Sequence, residues 1–270
     1  MIRQVLFQRK GAKAQRRKKE KTGQSSPSSC VFASSCAFAL KISILAGLTA
    51  CSGTGQPEVT YQASAQVIPA QNIQAGDWTV SLTQGTLAFG PAYFCAAASG
   101  SADLCETALG ELRTIRAIDL TDPSPQPLGE AHGLTGVIRS ASYDFGIHWF
   151  LTEEAPIADP AAPSGHSATL AGKAQKGNRT VTFTAEVDVI PQFQGQRAVP
   201  SAAASATIDQ DQVALTVGFD PGAWLSQVDF DEAPDGAKTY VIAPGSRNHG
   251  ALVIAMTAQK PPSFTWAKAP

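Results

Sequence analysis

From Asp77 onward, apolar and polar residues follow each other with a period of two. In Trp78-Thr79-Val80-Ser81-Leu82-Thr83 the apolar members Trp78, Val80 and Leu82 fall on one side, the signature of a half-buried strand. Gly85 interrupts, Leu87 and Phe89 continue, and Gly90-Pro91 marks a bend before Tyr93 and Phe94. A short strand is expected over Ile115 to Leu120, and a longer one over Gly136 to Leu151 that carries Val137, Ile138, Tyr143, Phe145, Ile147, Trp149 and Phe150. Val59 to Ile68 reads as a first strand diluted by Ala and Gln.

The clearest hairpin lies between Ser167 and Ile190. Thr169 to Lys176 forms one arm, Gly177-Asn178 the turn, and Thr180 to Val189 the other arm, with Val181, Phe183, Ala185, Val187 and Val189 inward. A two-residue turn fixes the register, and a slip by one position puts all five side chains in water. A second hairpin is expected to join Ala202–Ile208 to Val213–Phe219 through Asp209-Gln210-Asp211, and a last pair to join Leu252, Ile254 and Met256 with Phe264 to Trp266. Glu106 to Leu112 and Gly222 to Val228 are each long enough for one or two helical turns. No longer window keeps an apolar stripe at helical spacing. The proline-rich stretches Pro123 to Pro127 and Pro156 to Pro163 read as surface loops, because the strand pattern resumes directly after each. The expectation is an all-β domain over 77–270, an antiparallel β-sandwich or flattened barrel of about eight or nine strands with little helix.

The N-terminal region is built differently. Residues 1 to 41 hold ten basic side chains against the single acid Glu20. Lys41 then precedes an apolar run, Ile42 to Leu48, and the small residues Thr49 and Ala50 lead to Cys51. A basic segment, a short apolar run and a small-residue site, in that order, make an export signal, and the run is too short to span a bilayer. The tetrapeptide Leu48-Thr49-Ala50-Cys51 resembles the lipobox of bacterial lipoproteins. That resemblance covers the signal segment only. It implies that residues 1–50 are removed, that Cys51 carries a covalent diacylglycerol and an acyl chain such as palmitate, and that 51–76 is the lipidated Cys and a flexible tether, which opens with Ser52-Gly53-Thr54-Gly55-Gln56-Pro57. Ser52, in place of the Asp that holds such proteins at the inner membrane, implies the outer membrane, facing the periplasm or the exterior. The membrane is then a partner through the lipid anchor, since several acyl chains at about 0.8 kcal/mol per buried methylene hold firmly. The basic run Arg16-Arg17-Lys18-Lys19 lies unusually far upstream of Cys51; it fits charge kept on the cytoplasmic side, or a translation start nearer Val31.

Removing that leader changes the charge picture. Residues 51 to 270 hold eleven basic and twenty-one acidic side chains, a net of −10 concealed by the whole-chain value of −1. An acidic body repels phosphate backbones, which excludes nucleic acid as a partner.

Of the five cysteines, Cys30 and Cys36 lie in the leader and Cys51 is the lipidation site. Cys95 and Cys105 remain, and in an oxidising compartment they are expected to form a disulfide that closes a short loop, worth about 2 to 3 kcal/mol. The four histidines are His132, His148, His166 and His249. Three of them, His132, His166 and His249, adjoin glycines at expected strand ends, where ligands from separate strands could meet on Cu or Zn; they are weak candidates because no local motif ties them together. Asp229, Asp231, Glu232 and Asp235 with Gly236 form a solvated acidic turn that lacks the order of a calcium loop. Asp209 and Asp211 belong to their turn. Tyr143, Phe145, Trp149 and Phe150 read as core aromatics ahead of a sugar-stacking platform. No Gly-x-Ser-x-Gly, His-Glu-x-x-His, phosphate loop or dinucleotide fingerprint occurs. The reading is a lipid-anchored, non-enzymatic envelope protein with a binding or structural role, needing no cofactor and meeting an envelope protein or small ligand. Its alternatives are a periplasmic Cu- or Zn-binding protein and an envelope hydrolase.

Overall fold

The chain divides into two units, 1–50 and 51–270. The computed structural model describes residues 55–97 and 108–268, all within the second unit. The lipobox, including Cys51, lies outside the described residues, as does Cys105.

The described residues form sixteen strands: β1 (Glu58–Val67), β2 (Ile73–Ala75), β3 (Trp78–Phe89), β4 (Ala92–Cys95), β5 (Ala108–Leu112), β6 (Arg116–Asp119), β7 (Gln126–Leu134) and β8 (Gly136–Tyr143) come first. They continue as β9 (Ile147–His148), β10 (Ile157–Ala158), β11 (Ala168–Lys176), β12 (Arg179–Val187), β13 (Val199–Ile208), β14 (Gln212–Phe219), β15 (Thr239–Ile242) and β16 (Ser263–Lys268). Two helices, α1 (Pro221–Leu225) and α2 (Arg247–Ile254), complete the main elements. The all-β expectation holds. An eight-stranded sheet runs β13-β8-β4-β5-β7-β1-β14-β16, and a second sheet runs β15-β12-β11-β3-β2 with β6 also on β3. Most ladders are antiparallel, but β1–β14 and β12–β15 are parallel, so the sheets are mixed. The strand count exceeds the expected one because strands of two to four residues carry too few alternations to stand out.

The two sheets bury one apolar core. Phe89 on β3 sits where they meet, with ring centroids 5.5 Å from Tyr143, 5.3 Å from Phe219 and 6.2 Å from Phe145. Tyr143 and Phe145 are thus core residues, whereas Trp149 and Phe150 are half-buried. Farther along the second sheet, Phe230 joins Trp78 and Phe183. The β11–β12 hairpin forms as expected, with Lys176 opposite Arg179 and Val181, Phe183, Ala185, Val187 and Val189 all buried. Gly172 on β11 makes room for this packing: a Cβ there would lie 2.6 Å from the Phe183 ring.

Besides the strand expected over Gly136 to Leu151, which ends at Tyr143 as β8 and is followed by the separate short β9, four expectations are corrected. First, the tether expected over 51–76 is folded from Glu58 on: the strand read over Val59 to Ile68 forms as β1 and pairs with both β7 and β14. Second, β13 and β14 follow each other but do not pair. β13 takes β8, and β14 takes β1 and β16. β13 is rich in alanine and has little side chain to offer, whereas β16 sets Trp266 opposite Leu215 and Phe264 opposite Val217, and cross-strand aromatic pairs hold sheets together. Third, Leu252, Ile254 and Met256 are helical. Ser246 caps α2 by accepting from the His249 amide, and a π-helical turn over Ala255–Gln259 follows. The buried set Asn248, Leu252, Ala255 and Met256 has helical spacing, while Ile254 is 52% exposed. Fourth, Ala108–Leu112 is a strand rather than a helical turn, pairing with β4 and β7. The other short helix, α1, falls inside the expected Gly222–Val228 region apart from its first residue, and its cap is Asp220.

Candidate binding groove

Strands β12, β11, β3 and β6 lie side by side, and their outward face forms a hollow of about 720 Å³. Alternation decides which side chains face it. Ala185, Val187, Ala168, Leu170, Leu87 and Ile118 point to the core, so Glu186, Thr169, Thr86 and Asp119 point out. The register aligns those four directly: Glu186 is opposite Thr169, Thr169 opposite Thr86, and Thr86 opposite Asp119. One straight line across four strands therefore reads carboxylate, hydroxyl, hydroxyl, carboxylate. The neighbouring row, Thr184, Ala171 and Gln84, is neutral. Among the described residues no lysine or arginine lines the hollow.

Both end carboxylates are held. The Oδ1 of Asp119 accepts from the Thr121 amide at 2.8 Å and its hydroxyl at 2.6 Å, and these bonds hold the Asp119 carboxyl below the usual carboxylate range, led by the Thr121 hydroxyl. Gln126 brackets the Asp119 backbone, accepting from its amide and donating to its carbonyl, both at 2.8 Å. At the other end, Glu186 lies 3.3 Å from His166 Nε2, whose Nδ1 is 2.9 Å from Asp188.

Of the histidines singled out as weak metal candidates, His166 alone reaches this hollow's rim. His132 lies on β7 in the other sheet, its Nδ1 3.2 Å from the Thr60 hydroxyl and its Nε2 3.2 Å from Glu130. It borders a smaller hollow of about 370 Å³ with Glu58 and Glu111. His249 sits in the first turn of α2, and its Nε2 is buried without a hydrogen-bond partner among the described residues. The structure does not bring these three together, and among the described residues no three His, Cys, Asp or Glu side chains form a group suited to a metal ion. The acidic turn after α1 is similarly dispersed. Asp231 accepts from Trp78 Nε1 and Lys176, Glu232 accepts from Asn248, and Asp235 is 3.7 Å from Arg179. Asp209 and Asp211 both face Lys268.

A polar cluster the sequence did not reveal lies where the expected strand over Gly136 to Leu151 breaks. Asp144 is fully buried, pairs with Arg197 at 2.7 Å and accepts from the Ala198 amide at 2.6 Å. Arg197 is stacked between Tyr93 and Phe150, 5.2 and 4.9 Å from their rings. His148 lies 4.4 Å from the Phe150 ring and 3.3 Å from Glu153. Burial pushes the Asp144 carboxyl up to about 6 against the opposing pull of Arg197, the Ala198 amide and His148. A lone Asp inside an otherwise apolar run was the signal. Cys95, at the end of β4, is disulfide-bonded.

No family model matches the chain, and no curated protein matches it. Among solved structures, MbnP from Methylosinus trichosporium superimposes over 80% of this chain and 99% of its own, with a TM-score of 0.39 and 11% identity. A likeness of that size carries no argument about function.

Proposed function

We propose that this protein is a lipid-anchored, non-enzymatic binding module of the cell envelope, tethered through Cys51 and using the outward groove of its second sheet to hold a small ligand. The groove carries the reading: its polar side chains are aligned by backbone register, so the site is preformed and needs little ordering on binding. The leader ending in Leu48-Thr49-Ala50-Cys51 supports the anchor and the envelope location.

Two measurements test the two parts. In a bacterial host, labelled palmitate is expected to enter the wild-type chain and not Cys51→Ala, with the wild type recovered in membranes; unlabelled, soluble cytosolic protein overturns the anchor. Native mass spectrometry of full chain released from membranes is expected to show a bound small molecule that is lost in Ala171→Trp, which fills the groove from its outward face. The same mass on both proteins overturns the groove.

A further inference from the structure

The line of residues across the groove specifies more than a generic polar site. From Glu186 to Asp119 there are three strand-to-strand steps, each about 4.8 Å, so the end Cα atoms lie about 14 Å apart. The two carboxylates are thus too far apart to share one cation, and among the described residues no lysine or arginine lines the groove to compete for them; the nearest base is His166, at the rim beside Glu186 Oε2. Between them stand Thr169 and Thr86, whose hydroxyls can accept as well as donate. Asp119 uses Oδ1 for Thr121, and no described hydrogen bond engages its Oδ2. Glu186 uses Oε2 toward His166, and no described contact engages its Oε1.

Resting on the groove assignment above, we infer that the ligand is an elongated polycation, a linear aliphatic polyamine lying across the strands with one terminal ammonium on Glu186 and the other on Asp119. Thr169 and Thr86 accept from its inner amine. Anionic ligands are repelled by both ends, and a short diamine reaches only one carboxylate at a time. The body's net charge of −10 adds a long-range attraction for such a cation but does not choose among cations; the spacing chooses.

The test is calorimetric titration of the full chain in detergent with spermidine, putrescine and magnesium. Saturable one-to-one binding of spermidine is expected, with putrescine weaker by about ten-fold or more. Glu186→Gln and Asp119→Asn should each weaken spermidine by a similar factor. Asp211→Asn, an acid outside the groove, should leave it unchanged. All three positions are exposed, and an unaltered thermal transition in each variant confirms that the fold survives. Absence of saturable spermidine binding overturns the inference. So does an equal loss on Asp211→Asn, equal affinity for putrescine, displacement by millimolar magnesium, or tighter binding of trilysine, which would identify a basic peptide instead. If spermidine fails while the groove-dependent mass persists on the protein, the ligand class falls and the binding-module reading stands.

Discussion

The Arg197 guanidinium lies 2.7 Å from the Asp144 carboxylate, which has no solvent-exposed surface, and it ties the segment leading into β13 to the end of β8. Because the two residues come from distant parts of the chain, the pair fixes where the crossover from the second sheet returns to the first.

That burial has a sign in pH. The folded carboxyl of Asp144 is raised to about 6 from 3.8, so the folded state binds a proton more tightly than the unfolded one. Its stabilising contribution is complete below the unfolded value and is lost as pH rises through about 6. The shift is worth about 3 kcal/mol. Thermal unfolding between pH 5 and pH 7.5 should therefore show a component that gains stability on acidification, and Asp144→Asn should abolish it. The carboxyls held low, Asp119 and Asp231, act in the opposite sense and only below the ordinary carboxylate range.

Phe89 bridges the two sheets, so Phe89→Ala should cost about 3 to 5 kcal/mol in denaturant unfolding. A loss below 1 kcal/mol would mean that the sheets do not share one core.

The helical course of α2 separates two neighbours that a strand would place on the same face. Leu252→Ala should cost about 2 to 5 kcal/mol, while Ile254→Ala should stay within about 0.5 kcal/mol of wild type. Equal losses at both would restore the strand.

Cys95 is disulfide-bonded, and the sequence offers Cys105 as its partner. Peptide mapping under non-reducing conditions should recover one fragment containing both, and Cys95→Ser should destabilise the protein by about 2 to 3 kcal/mol. A fragment joining Cys95 to any other cysteine rejects the pairing.

Local pattern carried much of this architecture. Strict alternation placed β3, the β11–β12 hairpin and its buried face, because a period of two leaves one answer when one face is dry. It failed where the partner, not the pattern, decides. The order of strands around the large sheet depends on whether β14 prefers alanines or the rings of Phe264 and Trp266, and that comparison is made only in three dimensions. It failed again at Leu252 and Met256, where an accidental alternation hid a capped helix. The groove was illegible for a related reason. Thr86, Asp119, Thr169 and Glu186 come from four segments, and only the register lines them up. Of the sequence candidates, His166 alone borders it.

The parallel pairing of β1 with β14, in which Gln62 faces Ala214, governs how the protein is born. A chain emerging from its N-terminus leaves β1 with one bare edge until nearly the whole body has followed, and contacts of such sequence separation fold slowly. Throughout that interval the segment is open to strand pairing with other molecules, so a fragment ending before Gln212 should aggregate where the complete body does not.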